Sequence, residues 1–195
     1  MKNLVLDSNE IETCELVGHQ SIEHLSLNKN KLTSLAGIED LILLKTLSVT
    51  ESETLTSLSG ISNCPQLQKL VLSGQAKLET IDAVPDLPSL EELHLNGCPL
   101  AKLEDIGKLK TLRSLTTLNL AETPLAEEKG DDLKKELLIL LDDLKLKNIN
   151  GDDITPEERQ EAEAEKKERI KAAEEARRQA EEEAAAAAKE AEAAE

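Results

Sequence analysis

Aliphatic residues recur along this chain at a spacing too regular to belong to an ordinary globular core. Six times a pair of them appears as Leu-x-Leu or Leu-x-Val, led by Leu4, Leu25, Leu47, Leu70, Leu93 and Leu118. The steps between leads are 21, 22, 23, 23 and 25 residues. A further apolar residue follows each lead after seven or eight positions: Ile11, Leu32, Leu55, Leu78, Leu100 and Leu125. Self-similarity at this period means stacked supersecondary units, each burying its apolar side against the next. Period-two alternation at each lead predicts a short strand, with the leads pointing inward and their neighbours pointing outward.

The outward positions so defined are Asn3, Val5, Asp7; His24, Ser26, Asn28; Thr46, Ser48, Thr50; Lys69, Val71, Ser73; Glu92, His94, Asn96; and Thr117, Asn119, Ala121. These are mostly small polar side chains. They form the candidate partner-binding surface, which could accept a helix or an extended segment by hydrogen bonding. No aromatic residue anchors it, which argues against a concentrated hot spot. After each strand the chain turns and returns along an apolar arm. In the second unit Leu35, Ile38, Leu41 and Leu44 at three-residue steps suit a 3₁₀ or short helical return.

Asn30 sits where stacked turns need an amide for their backbone groups, with Asn9, Ser52, Gln75, Cys98 and Thr123 as its counterparts. Leu55 and Leu78 fall one residue late, so the turns near Glu53 and Ala76 are expected to bulge.

Beyond Leu125 the pattern changes. Residues 127–141 read as one amphipathic helix with Leu133, Leu137, Leu140 and Leu141 on a face. Leu144, Leu146 and Ile149 suggest a last strand before the turn Asn150-Gly151. Residues 126–154 would therefore cap the solenoid after repeats in 1–125. No similar cap pattern precedes Leu4, so the first layer needs a partner, another copy or further chain to cover it.

From Thr155 the composition switches again. Thr155-Pro156-Glu157-Glu158 is a helix start, and no Gly or Pro follows up to Glu195. Fourteen alanines, fourteen acidic and eight basic residues fill 155–195. A long charged helix follows from this, with i, i+4 pairs such as Glu163–Lys167, Glu165–Arg169 and Glu174–Arg178. Ala173, Ala176, Ala180, Ala184, Ala187, Ala191 and Ala194 trace a heptad-like seam along it. Buried Ala contributes little. The seam suits close approach of another helix inside a large assembly better than free homodimerisation.

Charge and composition narrow the function. The 195-residue chain carries −17, of which 155–195 supply −6 and 1–154 the other −11. It has no Phe, Tyr or Trp. An acidic balance opposes direct binding of nucleic acid or anionic membrane. The absence of a signal-peptide pattern or long apolar run, with three cysteines, predicts a soluble intracellular protein. Cytoplasm or cytoskeleton is the expected location. His24 and His94 lie three strands apart, about 14 Å at ~4.8 Å per strand, too far to share a metal. His19 falls on a loop, Cys14 and Cys64 in arms and turns, and Cys98 on the turn ladder. No phosphate loop, catalytic triad or metal-spaced cluster is present. No catalysis, cofactor, metal or small-molecule substrate is therefore expected.

Taken together these residues resemble the short intracellular class of leucine-rich repeats: an α/β solenoid of about six units with a parallel concave sheet, a helical cap and a single C-terminal helix. The run Ile106-Gly-Lys-Leu109-Lys-Thr-Leu112-Arg-Ser-Leu115-Thr-Thr-Leu118-Asn-Leu120, then Thr123-Pro124-Leu125 and Lys147-Asn-Ile149-Asn-Gly-Asp-Asp-Ile154, resembles the cap of that class. Thr123 stands where that cap usually has Asn, and its usual aromatic residue is absent. Passing straight from this cap into Thr155-Pro-Glu-Glu-Arg-Gln-Glu-Ala-Glu resembles the leucine-rich-repeat proteins of ciliary and flagellar axonemes, particularly the radial-spoke kind. That resemblance implies a structural joint between axonemal spoke subunits. Two other relatives are similar in layout: the acidic leucine-rich nuclear phosphoproteins, which bind histones or phosphatases, and regulatory subunits of protein phosphatases. The former end in a disordered acidic run, unlike 155–195 with its interleaved Lys and Arg. The latter would need aromatic anchors on the concave face.

Overall fold

A computed structural model describes the chain except for Ser59, Asp82, Ala83, Ala194 and Glu195, and except for the side chains of Glu182, Glu183 and 185–193. The chain divides into two compact units, Met1–Ile154 and Thr155–Glu195.

The first unit is built on an eight-stranded sheet in sequence order. Its strands are β1 Asn3–Val5, β2 His24–Ser26, β3 Thr46–Ser48, β4 Lys69–Val71, β5 Glu92–His94, β6 Thr117–Asn119, β7 Asn148–Ile149 and β8 Asp152–Asp153. The six lead leucines stand in one continuous parallel register: Leu4 opposite Leu25, then Leu47, Leu70, Leu93 and Leu118. Ile149 extends the row opposite Leu118, and β8 then folds back antiparallel to β7.

Stacking makes the core continuous, because Leu25, Leu47, Leu70 and Leu93 each meet a leucine on both sides. Leu47, Leu70, Leu93 and Leu118 are completely buried, as are their partners Val49, Leu72, Leu95 and Leu120. Fully burying such a side chain stabilises by about 1.5–3 kcal/mol. Leu, with some Ile and Val, thus replaces the aromatic area the sequence lacks. Cys14 takes the buried arm position of Leu35, and Cys64 that of Leu41.

The arms are less regular than the three-residue spacing predicts. Among the described residues before the cap, helical returns are found in the third and fifth units: a 3₁₀ turn over Ile61–Asn63, and α1 Leu103–Ile106 running into a 3₁₀ turn over Gly107–Thr111. The second unit returns through turns closed by Leu41 N to Ile38 O and Leu44 N to Leu41 O. The longer spacing at Leu55 and Leu78 is absorbed as expected. Leu55 N reaches Ser52 O and Leu78 N reaches Gln75 O, whereas at Leu100 the turn is one residue shorter and closes on Cys98 O.

The amide ladder is present. Asn30 Nδ2 donates to Leu6 O, Leu27 O and Asn28 O, and its Oδ1 accepts from Ile11 N. Further along, Ser52 Oγ donates to Asn30 O, Gln75 Nε2 to Val49 O, Cys98 Sγ to Leu72 O and Thr123 Oγ1 to Leu120 O. The exposed Asn9 makes a weaker local version, reaching Leu6 O and Asp7 O. Asn30, Gln75, Cys98 and Thr123 thus bond the carbonyl two residues after a lead, Ser52 bonds that of Asn30 instead, and Gln75 leaves its Oε1 buried without a partner.

The cap corrects the sequence reading in two places. The expected helix over 127–141 is split into α2 Pro124–Lys129, a 3₁₀ turn over Gly130–Asp132, and α3 Leu133–Leu140. Gly130 causes the break, adopting φ 52°, ψ −128°, which no helix contains. The rotation after the break buries Leu138 beside Leu133 and Leu137, while Leu140 is only half-buried. Leu144 and Leu146 are buried but precede the strand, which is only the two residues of β7.

The second unit is α4, Pro156–Ala193, 38 residues or about 57 Å at roughly 1.5 Å per residue. Its start is a reciprocal capping box: Glu158 N donates to Thr155 Oγ1 at 3.2 Å, and Thr155 N to Glu158 Oε2 at 2.8 Å. Lys167–Glu163, Arg169–Glu165 and Arg177–Glu181 pair at i, i+4 along it. No helix among the described residues is long and apolar enough to cross a membrane.

Candidate functional site

The strands set every outward residue on one face, and the parallel register sorts them into rows running across the sheet. One row reads Asn3, His24, Thr46, Lys69, Glu92, Thr117; the next reads Val5, Ser26, Ser48, Val71, His94, Asn119. Exposure is highest at the first strands and falls inward: Asn3, Val5 and His24 are exposed, whereas the outward residues of β3–β6 are half-buried.

Many of these side chains hydrogen-bond each other. Ser26 Oγ donates to Asp7 Oδ1 at 2.6 Å, Asn28 N to the same oxygen at 2.9 Å, and Asn28 Nδ2 to Asp7 Oδ2 at 3.3 Å. One strand on, Ser48 Oγ at 2.8 Å and Thr50 N at 2.9 Å both donate to Asn28 Oδ1. Ser73 Oγ donates to Asn96 Oδ1, and Asn119 Oδ1 accepts from Ala121 N. On the face expected to meet a partner, the side chains of Ser26, Asn28 and Ser48 thus also tie neighbouring strands together, and Thr50 adds its main-chain N–H. Burial opposes the charge on Asp7, but the bonds from Ser26 and Asn28 outweigh it and hold the carboxyl below its usual range.

The middle of the face is different. Lys69 Nζ meets Glu92 Oε2 at 2.6 Å, and His94 Nε2 lies 3.5 Å from that oxygen. The hydrogen bond from Lys69 holds Glu92 below the usual carboxylate range against the opposing effect of burial, with a smaller bond from His94. Val71 stands beside this cluster, in register with Ser48 on one side and His94 on the other. Thr46 and Thr117 flank Lys69 and Glu92 across the sheet. One aliphatic, one cation, one anion and one imidazole thus share a patch in the middle of the face.

A charged triad escaped the sequence reading. Glu23 Oε1 meets Lys2 Nζ at 2.6 Å and Glu23 Oε2 meets Lys45 Nζ at 2.7 Å. Both hydrogen bonds hold the Glu23 carboxyl down to about 2, despite burial pushing the other way. The signal was available: Lys2, Glu23 and Lys45 stand two residues before Leu4, Leu25 and Leu47, so alternating charge recurs at the repeat spacing.

His24 and His94 are on strands β2 and β5, and no group of three or more His, Cys, Asp or Glu among the described residues is placed to hold a metal. The three cysteines are buried free thiols. On α4 the side chains of Ala173, Ala176, Ala180 and Ala184 are exposed. Ala194, and the side chains of Ala187 and Ala191, lie outside the described residues.

A parallel sheet of identical leucine rows, an amide ladder along the turns and a helical cap define the leucine-rich-repeat fold. Solved structures of that class share it. They include a chain of the Drosophila melanogaster SNF/U2A′ complex, with TM-score 0.52 and 20% identity over 87% of this chain and 86% of that one. The internalin InlF of Listeria monocytogenes gives TM-score 0.54 and 21% identity over 70% of this chain and 36% of that one. The functional domain of InlJ of Listeria monocytogenes, which includes a cysteine ladder, gives 0.55 and 22% over 82% and 33%. The chain thus spans about a third of each internalin chain. No protein-family model matches the sequence, and no curated protein does.

Proposed function

We propose that this chain is a non-catalytic protein-binding scaffold, with the concave face and α4 as its two contact surfaces. The observation that carries this reading is the patch at Lys69, Val71, Glu92 and His94 in the middle of the concave sheet, where a cation, an anion and an imidazole surround one aliphatic side chain. Such a surface presents charge and a little apolar area to a macromolecule. It offers no nucleophile paired to a base. The similar Drosophila chain was crystallised in a protein complex, which supports the same general role.

The finer reading is a component of ciliary or flagellar axonemes, of the radial-spoke kind, joining other subunits. Its support is the direct passage from the cap into a capped helix laced with i, i+4 ion pairs rather than into an acidic run. A location in the cytoskeleton accompanies that reading. The alternative, a phosphatase regulator or histone binder, draws support from the net charge of −17.

Cross-linking mass spectrometry on the full chain recovered from its own cells separates the two. Links from Lys45, Lys69 and the α4 lysines Lys166, Lys167 and Lys171 to spoke proteins support the structural joint. Links to a phosphatase or to histones, with α4 unlinked, overturn it in favour of the regulatory module.

A further inference from the structure

The repeat unit is unequal at its two ends. Beyond β6 the sheet is closed by β7, β8 and the cap helices. At the other end β1 is an edge strand. Leu4, Leu6 and Ile11 are only half-buried there, although their counterparts Leu25, Leu27 and Leu32 are buried in the next repeat. Every exposed large apolar side chain described in this unit belongs to the first two repeats: Met1, Val5, Val17, Ile42 and Leu43, with Val5 at 68% and Val17 at 73% exposure. Single exposed apolar residues are ordinary, but their confinement to one end is not.

The edge also offers main-chain groups. Leu6 N donates to Ser26 O and Ser8 N to Asn28 O, and Lys2 O accepts from Glu23 N and His24 N, so the even-numbered residues along β1 and its flanks face the sheet. By the alternation of a parallel ladder, the N–H and C=O of Asn3 and Val5 face away from it. Such a row is a template for another strand.

Charge selects what pairs with it. Glu12 and Glu15 are exposed and have no ion-pair partner among the described residues. Asp7 is bound only by neutral groups. Lys2, the one Lys or Arg side chain of the first repeat, is already held by Glu23. A second copy would bring the same acidic end against itself, on a chain of net charge −17.

We infer that the β1 edge is a strand-addition site for an extended protein segment alternating apolar and basic residues. Its apolar side chains lie over Leu4, Leu6 and Ile11, its main chain pairs with Asn3 and Val5, and its cations meet Asp7, Glu12 and Glu15. This is recognition by β-augmentation, distinct from the concave patch.

Fluorescence anisotropy with a labelled octapeptide alternating Lys and Val tests the assignment on the full chain. The comparison peptide has the same composition in two blocks, at the same ionic strength. The alternating peptide should bind at least about tenfold more tightly, because only it presents one apolar and one basic face. Val5→Pro should abolish that difference while keeping the melting profile, since the N–H it removes points away from β2. A double variant, Glu12→Lys with Glu15→Lys, should weaken the alternating peptide without touching any strand. It also keeps the test decisive if Val5→Pro fails to fold. Equal binding of the two peptides, or full binding by these variants, overturns the proposal. So does sedimentation showing a wild-type dimer that Val5→Pro converts to monomer, which would make the occupant a second copy.

Discussion

Gly37 packs its Cα directly against the carbonyl oxygen of Cys14 in the preceding repeat: a methyl group built on Gly37 would lie 1.6 Å from that oxygen. The same contact recurs one repeat later, where a Cβ on Gly60 would come within 2.0 Å of Leu35 O. Backbone-to-backbone contact of this kind sets how closely successive arms stack. Gly37→Ala should therefore destabilise by about 3–5 kcal/mol, combining strain at φ 97° with a clash no side-chain motion relieves. Gly18→Ala is the control. It has comparable φ but open space around it, and should cost only about 1–2 kcal/mol. Thermal unfolding followed by circular dichroism compares them; equal losses would mean that the close approach is irrelevant.

Thr123 joins the ladder to the cap. Its hydroxyl donates to Leu120 O at 2.7 Å and accepts from Ala126 N at 3.2 Å, so one buried group ends the carbonyl row and starts α2. Thr123→Val keeps the shape and loses both bonds, for an expected cost of about 2 kcal/mol. Thr123→Ser keeps both and should cost less than half of that. Urea denaturation of the two variants reads the difference directly.

The lead leucines made the register of β1–β6 legible, because stacking forces identical side chains into one row. The ladder positions were legible for the same reason, since each turn carries its polar residue five positions after the lead. Helix continuity across 127–141 was misread because apolar spacing survives a break that Gly130 imposes on the backbone. The lateral bonding of Asp7, Ser26, Asn28 and Ser48 was not legible. Period-two alternation places a side chain on a face without saying whether its neighbour one strand away will satisfy it. The Lys2–Glu23–Lys45 triad is the exception, because its alternating charges recur at the repeat spacing two residues before Leu4, Leu25 and Leu47.

That triad makes stability depend on pH in two windows. Lys2 and Lys45 favour the ionised Glu23 carboxylate and lower its pKa from an ordinary 4.5 to about 2. The folded state therefore binds the proton less tightly than the unfolded chain. Its stabilising contribution is complete above about 4.5 and is lost as pH falls from there through about 2. Lys2 is raised above its ordinary 10.5 by Glu23, so its contribution is present below that value and fades at higher pH. Urea midpoints measured from pH 5 to pH 2 should fall less steeply in Glu23→Gln than in the wild type. Parallel curves would show that the triad does not contribute.

Cys14 and Cys64 should resist modification until the chain unfolds. Burial, with a smaller push from the Glu39 charge, raises both thiols to about 11. At pH 8 only about one in a thousand of each is thiolate, and both side chains are inaccessible as well. Cys98 is raised by burial too, with partial relief from the backbone of Gln75 and Gly74. Titration with a disulfide reagent should find no fast thiol in the native protein and three after denaturation. A single rapid native reaction would contradict the buried placement.

Val71 is the aliphatic centre of the candidate face, between Ser48 and His94 and beside the Lys69–Glu92 pair. Val71→Asp places a carboxylate there without disturbing the leucine row, since Val71 is half-buried on the opposite side from Leu70 and Leu72. Folding should change little, whereas a partner seated on this patch must then desolvate an added charge. Loss of about tenfold or more in that partner's capture is the expected result. Gln66→Asp, on the exposed turn before β4, carries the same charge to a different surface and should leave capture unchanged. Proteins cross-linked to the α4 lysines should be retained by both variants, because α4 is a separate unit. If Val71→Asp depletes nothing, the concave face is a solvated sheet and the scaffold must hold its partners elsewhere.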